Sequence, residues 1–467
     1  MVHRIPIVLW LACGIAAGAA AEFDSSVKTT VMVPMRDGVR LSTDVYVPAR
    51  AGAAARERFP VLLVRTPYNK TGGTGKQAEA LAPRGYVVLA QDVRGRFASE
   101  GEFYPFVNEG LDGYDAIEWA AAQPWSNGKV GMFGGSYLAW DQYHAAMYKP
   151  PHLASLYAMV GGATFYDEYA FPGGVPNLGW ARWILSSALT SPQAARDPEI
   201  ADRLRAVAGS PAQWLALPPG PRGDVFRRTP VHEKIYRDFY AHPEFDSYWK
   251  QKGFWTAGYY DQIKDIPMFF VTGWYDYFAE GVLNNFAALA KTQKTAKKLL
   301  VGPWPHGVGG SVCGGADFGD AARVDQLELM AEWFDHTLRG RDFAMKSPVR
   351  IFRMGGADGA RRNGRLHHGG EWRDAPSWPL PGTRPARYYL RASGRLAETA
   401  PGRESPSAWR HDPKNPVPTI GGRYDGRCAD DQVCAPNSIG CSDALPLDRR
   451  KIGRASCRER VYKSVVA

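Results

Sequence analysis

The sequence predicts an α/β protein with a doubly wound, mostly parallel sheet, and two features carry that prediction. Apolar runs without polar alternation suit strands that are buried on both faces of a sheet. Such runs occur at residues 59–68, 86–95, 130–135, 266–276 and 296–307. The second feature is a helical pattern between the early runs, clearest in "GYDAIEWAAAQ" (113–123). Strands that alternate with helices in this way build a sheet covered by helices on both faces.

The segments around these runs predict the remaining organisation. "TTVMVPMRDGVRLSTDVYVP" (29–48) alternates apolar and polar residues around Asp37-Gly38, which predicts a β-hairpin. Residues 165–261 are mainly helical in pattern and interrupt the α/β alternation. From about residue 346 the chain is rich in Pro, Gly and Trp, with short β-like pieces such as "VRIFRM" and "ARYYLRA". The predicted units are a core segment (22–164), a helical insertion (165–261), a second core segment (262–345) and a β domain (346–450).

The two ends of the chain are expected to lie outside the native mature protein. Residues 1–21 combine one Arg, a short apolar stretch and Ala19-Ala20-Ala21, which are features of a cleaved secretory signal peptide. The apolar stretch is shorter than the ~20 residues that a membrane span needs. A secreted or periplasmic protein, without a membrane span after cleavage, is therefore predicted. "KIGRASCRERV" (451–461) resembles the translation of a common sequencing adapter, so residues 451–467 are expected to be non-native and the β domain truncated.

Composition and local motifs exclude several function classes. The formal net charge is +10, but residues 451–467 contribute +4 of it, and no cluster interleaves basic with aromatic residues. Nucleic-acid binding is therefore not predicted. "KTGGTGK" (70–76) lacks the first Gly and the Ser/Thr of a phosphate-binding loop, and it is expected to be a flexible loop. No metal or cofactor is predicted; Cys428, Cys434 and Cys441 lack a C-x-x-C pair and leave one disulfide of undetermined pairing open.

The segment "KVGMFGGSYLAW" (129–140) places Ser136 directly after two glycines, between an apolar strand pattern and a helical pattern. A strand–Gly-x-Ser–helix turn is tight and exposes the serine hydroxyl at the edge of the sheet. The usual motif has another glycine two positions after the serine, and Leu138 occupies that position. Ser136 is therefore either an exposed nucleophile or a small residue that fills a strand-to-helix corner.

Two residues far along the chain favour the interpretation of Ser136 as a nucleophile. A catalytic serine needs a base to remove its proton and an acid to orient that base. Asp276 ends one apolar run and His306 follows the next, and the carboxyl ends of parallel strands collect at one edge of a sheet. The chain order Ser, Asp, His is also that of the α/β-hydrolases. These three residues are predicted to form a catalytic triad, with the backbone N–H of Tyr137 as one donor of an oxyanion hole.

Five motifs make the chain resemble the CocE/NonD hydrolases: "RTPYNK", "VRGRFASEGEF", "AQPWSNGKVGMFGGSYLAW", "VTGWYD" and "GPWPH". The resemblance covers about residues 31–449 and implies an α/β-hydrolase core, a helical cap inserted before the acid and a C-terminal jelly roll. The implied site residues are the nucleophile Ser136, the acid Asp276, the base His306 and an oxyanion-hole tyrosine hydroxyl at Tyr68. Ala139 departs from the family pattern, because many relatives carry glycine there.

The expected function is that of a secreted serine hydrolase that cleaves an ester or amide of a small molecule or short peptide through an acyl-enzyme. An X-Pro dipeptidyl peptidase is the alternative within the same class. It would need an anionic subsite for the substrate's α-ammonium group, and Asp167, Glu168 and Glu280 are the candidates. A non-catalytic binding protein on a hydrolase fold is the alternative of another class. The sequence leaves the acyl group, the leaving group and a homo-oligomer open.

Overall fold

The fold is that of a computed structural model, which describes residues 23–391, 395–405 and 410. The predicted signal peptide (1–21) and the predicted non-native tail (451–467) lie outside these residues, as do Cys428, Cys434 and Cys441. Among the helices of the described ranges, none combines the length and the apolar character that a bilayer crossing requires.

Short strands and helices alternate along most of the described chain. The strands are β1 (Ser25–Pro34), β2 (Arg40–Arg50), β3 (Ala53–Ala54), β4 (Phe59–Thr66), β5 (Val87–Asp92), β6 (Ser126–Gly135), β7 (Leu153–Met159), β8 (Met268–Gly273), β9 (Lys297–Gly302), β10 (Val312–Cys313), β11 (Ala316–Asp317), β12 (Val349–Met354), β13 (Arg361–Arg362), β14 (Arg365–His367), β15 (Gly370–Ala375), β16 (Tyr389–Arg391) and β17 (Arg395–Ala397). The α-helices are α1 (Gly73–Leu81), α2 (Glu109–Ala121), α3 (Tyr137–Met147), α4 (Leu178–Leu189), α5 (Pro192–Arg196), α6 (Pro198–Gly209), α7 (Pro211–Ala216), α8 (Pro219–Gly223), α9 (Pro230–Ala241), α10 (Ala279–Thr292) and α11 (Gln326–Arg339).

One large sheet organises the protein. Its strand order is β1-β2-β5-β4-β6-β7-β8-β9-β12-β15, with β3 paired to β2. The seven central strands from β5 to β12 are parallel, whereas β1, β2 and β15 are antiparallel to their neighbours. The predicted hairpin forms β1 and β2, which pair along the whole length of β1. The predicted α/β architecture is therefore confirmed.

The central strands are buried on both faces, as their continuous apolar runs predicted. Every residue of β4 is buried, and its side chains alternate between two hydrophobic clusters. Leu62 and Val64 belong to one cluster, and Val61 and Leu63 belong to the other. A strand that is covered on both faces has no polar face, which explains why a period of two is missing from its sequence.

The predicted insertion is helical and shares a core with the sheet. Helices α4 to α9 lie within it, and α6 shows how the sequence starts such a helix. Asp197 accepts hydrogen bonds from the backbone N–H groups of the second and third residues of α6, and Pro198 occupies the first helical position. Trp180 and Phe239 of the insertion belong to the same buried cluster as Phe106 of the core. We call residues 165–261 the cap.

One expected loop is a helix. Residues 70–76 were expected to be a flexible loop, which is wrong: α1 begins at Gly73, and Thr74 and Gly75 are buried. The carbonyl oxygen of Lys70 lies 2.9 Å from the position that a Cβ on Gly75 would occupy. The glycines that resembled a mobile loop thus allow close packing of the helix start against the preceding backbone.

The C-terminal boundary of the core also differs from the prediction. "VRIFRM" was assigned to the β domain that starts at 346, but it forms β12, which pairs in parallel with β9. Val349 and Ile351 are fully buried in one of the clusters that cover the main sheet, and this burial explains the placement. Strand β15 extends the sheet further. The pair β16–β17 forms a separate two-stranded sheet, and the jelly roll stays a prediction.

Strand β12 provides a stability test of this correction. We expect Ile351→Ala to lower the free energy of unfolding by about 2–5 kcal/mol, because it leaves a cavity beside the main sheet. Leu390 on β16 is 68% exposed, so Leu390→Ala should change the free energy by less than about 0.5 kcal/mol. Urea unfolding followed by circular dichroism measures both. Equal, small effects would contradict the placement of β12 in the core.

Candidate active site

The parallel strands bring the predicted site residues to one edge of the sheet. Strands β6, β7, β8 and β9 are parallel neighbours in that order. Ser136 follows the last residue of β6, Asp276 comes shortly after β8, and His306 comes shortly after β9. All three therefore lie beyond the carboxyl ends of their strands, where open α/β sheets place their ligands and reacting groups.

Ser136 occupies a strained turn between β6 and α3. Its backbone has φ 61° and ψ −123°, a left-handed region that residues with a side chain rarely adopt. Gly134 has φ 140°, and a Cβ there would lie 2.5 Å from the Cβ of Leu138. The Ser136 N–H donates to the carbonyl oxygen of Met159 on β7 at 2.9 Å. This is the geometry of a nucleophile elbow, which exposes the side chain at the tip of the turn.

The departure from the family pattern at Ala139 is accommodated by a neighbouring glycine. Ala139 is fully buried on α3. A Cβ added to Gly161 would lie 2.5 Å from the Cβ of Ala139. The methyl group of Ala139 therefore fits because residue 161, in the loop after β7, has no side chain.

Asp276 and His306 form a hydrogen-bonded pair. The Nδ1 atom of His306 lies 2.8 Å from Oδ1 of Asp276, and the Thr272 hydroxyl donates to the other carboxylate oxygen at 3.1 Å. Asp276 is 2% exposed. In the neutral tautomer that donates from Nδ1–H to a carboxylate, Nε2 carries the lone pair that can accept a proton. The ring of Tyr277 stacks on the imidazole, with centroids 4.4 Å apart, and restricts its orientation.

The loops that carry this pair approach each other closely. The Tyr275 N–H donates to the carbonyl oxygen of Trp304 at 3.1 Å, and the Trp274 N–H donates to that of Gly302 at 2.9 Å. A Cβ on Gly273 would lie 2.0 Å from the Trp304 oxygen. The glycine that ends β8 thus lets the two loops pack backbone against backbone, which sets the distance between Asp276 and His306.

A buried network supports the residue that follows Ser136. The Tyr137 phenol donates to Glu109 Oε1 at 2.8 Å and accepts from the Phe106 N–H at 2.9 Å. The other Glu109 oxygen lies 2.8 Å from the Arg65 guanidinium, with both side chains fully buried. The side chain of Tyr137 is therefore anchored inside the core while its backbone N–H stands at the start of α3. Glu109 and Arg65 were not among the candidate residues, because nothing in their local sequence indicates that contact.

Tyr68, whose side-chain hydroxyl is the predicted second hydrogen-bond donor of the oxyanion hole, lies in the loop after β4 and is 50% exposed. Its ring meets that of Tyr137 edge to face, with centroids 6.3 Å apart. Its hydroxyl accepts a hydrogen bond from Trp183 Nε1 of the cap at 3.0 Å. The buried Arg96 donates to the carbonyl oxygen of Pro67, the residue before Tyr68, at 3.0 Å. Trp183 was not among the candidates, since the sequence does not show which face of α4 meets the core.

Other groups in the region have different roles. Burial lowers the pKa of His144 on α3 to about 3, so its ring is neutral and a poor base at pH 7. Cys313 is a buried free thiol, and burial raises its pKa to about 12. No group of three or more His, Cys, Asp or Glu side chains within the described ranges is arranged to hold a metal ion.

Comparison with known proteins places the chain in a family. The sequence profile of the X-Pro dipeptidyl-peptidase (S15) family matches residues 37–308, a range that contains Ser136, Asp276 and His306. The chain belongs to this family of serine hydrolases. It is 33% identical over 425 residues to a cocaine esterase from Rhodococcus sp. (strain MB1 Bresler), covering 85% of this chain and 69% of the relative. The resemblance to CocE/NonD hydrolases is thereby confirmed.

Solved structures agree on the fold. A CocE/NonD family hydrolase from Staphylococcus aureus is similar, with a TM-score of 0.55 and 23% identity, over 80% of this chain and 59% of that one. An α-amino-acid ester hydrolase is similar with a TM-score of 0.62 and 22% identity, over 90% of this chain and 71% of that one. At these identities the likeness concerns the α/β fold alone.

The two glycines before Ser136 should differ in their tolerance of a side chain. Gly134→Ala should lower the free energy of unfolding by about 1–3 kcal/mol and remove hydrolase activity, because of its positive φ and its contact with Leu138. Gly135 is the matched control, since the nearest atom to a Cβ there is 3.5 Å away, an ordinary contact. Thermal unfolding and ester hydrolysis measure the two variants. Equal tolerance at both positions would contradict the described turn.

Proposed function

We propose that the protein is a serine hydrolase that cleaves a carboxylic ester or amide through an acyl-enzyme. Ser136 is the nucleophile, His306 the general base and Asp276 the residue that orients the base. The observation that carries this proposal is the 2.8 Å pair between His306 Nδ1 and Asp276, at the sheet edge where Ser136 has the backbone of a nucleophile elbow. Membership of a serine hydrolase family supports the same assignment.

The proposed reaction has two balanced steps. The Ser136 hydroxyl oxygen attacks the substrate carbonyl carbon while Nε2 of His306 takes its proton, and Asp276 stabilises the imidazolium that forms. The tetrahedral intermediate collapses, the bond to the leaving group breaks, and His306 returns the proton to that group. Water then attacks the acyl-enzyme with His306 again as base, and the carboxylic acid leaves as Ser136 regains its proton.

Two donors are proposed for the oxygen that becomes negatively charged. The backbone N–H of Tyr137 is one, because the residue after the nucleophile supplies a donor in an elbow. The hydroxyl of Tyr68 is the other, as its family resemblance implied. Both groups are held in place before the reaction, Tyr137 by Glu109 and the Tyr68 loop by Arg96. Preorganised donors of this kind lower the barrier because they need not reorient as charge develops.

An ester is the favoured substrate class. The cocaine esterase is a relative at 33% identity, and Glu168, one of the three candidate ammonium-binding residues, is already engaged inside the protein. The Glu168 carboxylate is buried and accepts hydrogen bonds from the backbone N–H groups of Ala163 and Thr164, at 3.0 Å and 3.1 Å. It is thus engaged in holding the loop after β7. Asp167 and Glu280 have exposed side chains.

An X-Pro dipeptidyl peptidase is the second candidate function, favoured by the family profile that matches residues 37–308. A non-catalytic binding protein is the third, and covalent labelling separates it from both hydrolases.

We further propose export of the protein, on the signal-like sequence of residues 1–21, which lie outside the described residues.

The first test concerns the nucleophile. We expect Ser136→Ala to abolish fluorophosphonate labelling and to lower kcat for ester hydrolysis by roughly 10⁶-fold, because no acyl-enzyme can form. Ser186→Ala is the control: this serine is exposed on α4, and its variant should label like the parent. Intact mass after labelling and circular dichroism check the adduct and the fold. Full labelling of a folded Ser136→Ala protein would refute the proposal.

The second test concerns the substrate. The parent enzyme should hydrolyse p-nitrophenyl esters of short and aromatic acids with kcat/KM at least about 10²-fold above that for Ala-Pro and Gly-Pro p-nitroanilides, a gap of about 2.7 kcal/mol. The esters release p-nitrophenolate and the anilides release p-nitroaniline, so absorbance follows both reactions, with Ser136→Ala as the blank for each. Preference for the dipeptide anilides would establish the peptidase instead.

A further inference from the structure

Helix α4 of the cap contacts the candidate active site through the indole of Trp183. Trp183 Nε1 donates to the Tyr68 hydroxyl at 3.0 Å. The ring of Trp183 stacks against Trp180 with centroids 4.6 Å apart and planes at 12°, and it lies parallel to the Tyr137 ring, with centroids 6.1 Å apart and planes at 9°. The indole is therefore held between aromatic neighbours from the cap and from the core.

We propose that Trp183 is a positioning residue, which turns the Tyr68 hydroxyl proton toward the developing oxyanion. The inference rests on the oxyanion role proposed above for Tyr68. A phenol has one O–H donor and also accepts hydrogen bonds on its oxygen. Conjugation keeps the O–H near the ring plane, so the proton has two favoured orientations. The N–H of Trp183 occupies the acceptor side of the oxygen and directs the phenol proton away from itself.

The same contact strengthens the phenol as a donor. A hydroxyl that accepts a hydrogen bond is polarised, and its own O–H becomes a better donor. This effect matters most in the transition state, where the substrate oxygen carries negative charge. Loss of the indole N–H should therefore lower kcat more than it changes KM.

Arg96 fixes the helix and the tyrosine loop relative to each other. Besides the carbonyl of Pro67, its guanidinium donates to the carbonyl oxygen of Ser187 at 2.9 Å and to the Thr190 hydroxyl at 2.6 Å. Both groups lie at the C-terminal end of α4, where a cation is favoured by the helix dipole. Desolvation lowers the pKa of Arg96 to about 10, so it stays charged at pH 7. Trp183 and Tyr68 are thus carried by segments that share one buried anchor.

A double-mutant cycle tests the proposal. Trp183→Phe keeps an aromatic ring and removes the N–H. We expect kcat for p-nitrophenyl ester hydrolysis to fall by about 3- to 10-fold at nearly constant KM, because the loss of one hydrogen bond has an effect of this size. Tyr68→Phe alone should lower kcat by roughly 10²–10³-fold. In the Tyr68→Phe background, Trp183→Phe should change kcat by less than about 2-fold, because the two residues act as a unit.

A second cap tryptophan provides the matched control. Trp214 Nε1 donates to the carbonyl oxygen of Arg222 at 2.9 Å, within the cap and without a contact to the proposed oxyanion donors. Trp214→Phe should keep kcat within about 2-fold of the parent. If Trp183→Phe does not fold, the benzothienyl analogue at position 183, in which sulfur replaces the N–H, removes the donor from an isosteric ring.

The outcomes separate this inference from the function on which it rests. An equal fold-loss from Trp183→Phe in both backgrounds would assign Trp183 to packing and overturn the inference. Parental kcat in Trp183→Phe would also overturn the inference. If Tyr68→Phe nevertheless showed a large loss of kcat, the proposed oxyanion role of Tyr68 would remain supported. Parental kcat in Tyr68→Phe would overturn the oxyanion role of Tyr68 and the role of Trp183 together, yet it would leave the acylation of Ser136 untouched.

Discussion

The left-handed backbone of Ser136 is the constraint on which the candidate site depends. A non-glycine residue in this region costs about 1–3 kcal/mol and persists only where its surroundings hold it. Here the hydrogen bond to Met159 fixes the turn to β7, and Gly134 adopts a φ that residues with a side chain rarely adopt. The turn points the Ser136 side chain beyond the sheet edge and starts α3 immediately afterwards. The positions of the proposed nucleophile and of the proposed backbone donor are therefore set by one local conformation.

A network of buried charged side chains supports the turn at Ser136. Arg65, Glu109 and Asp141 are fully enclosed, and burial raises the pKa of Asp141 well above its usual range. Burial also raises the pKa of Glu109, and the positive charge of Arg65 opposes that rise. Loss of one partner from such a buried pair typically costs about 3–5 kcal/mol. The phenol of Tyr137 joins this network, so the turn at Ser136 is connected to the buried core.

Sequence patterns predicted the parts of this structure that repeat along the chain and missed those that depend on distant contacts. Continuous apolar runs located β4, β5, β6, β8 and β9, and strand ends then indicated Ser136, Asp276 and His306. Strand β7 was not predicted, because "LASLYAM" mixes small and polar residues after Pro150-Pro151, although it lies between β6 and β8. The indole of Trp183 could not be assigned either, since its partner lies 115 residues earlier in the chain and only the docked cap brings them together.

The crystal structure of the enzyme after fluorophosphonate treatment would test the central claim most directly, because the phosphonyl group mimics the tetrahedral intermediate. The account predicts a covalent bond from phosphorus to the Ser136 side-chain oxygen. It also predicts that the phosphonyl oxygen lies within about 3 Å of both the Tyr137 N–H and the Tyr68 hydroxyl, with the His306–Asp276 pair intact. An adduct on another residue, or a phosphonyl oxygen that faces solvent without these donors, would contradict it.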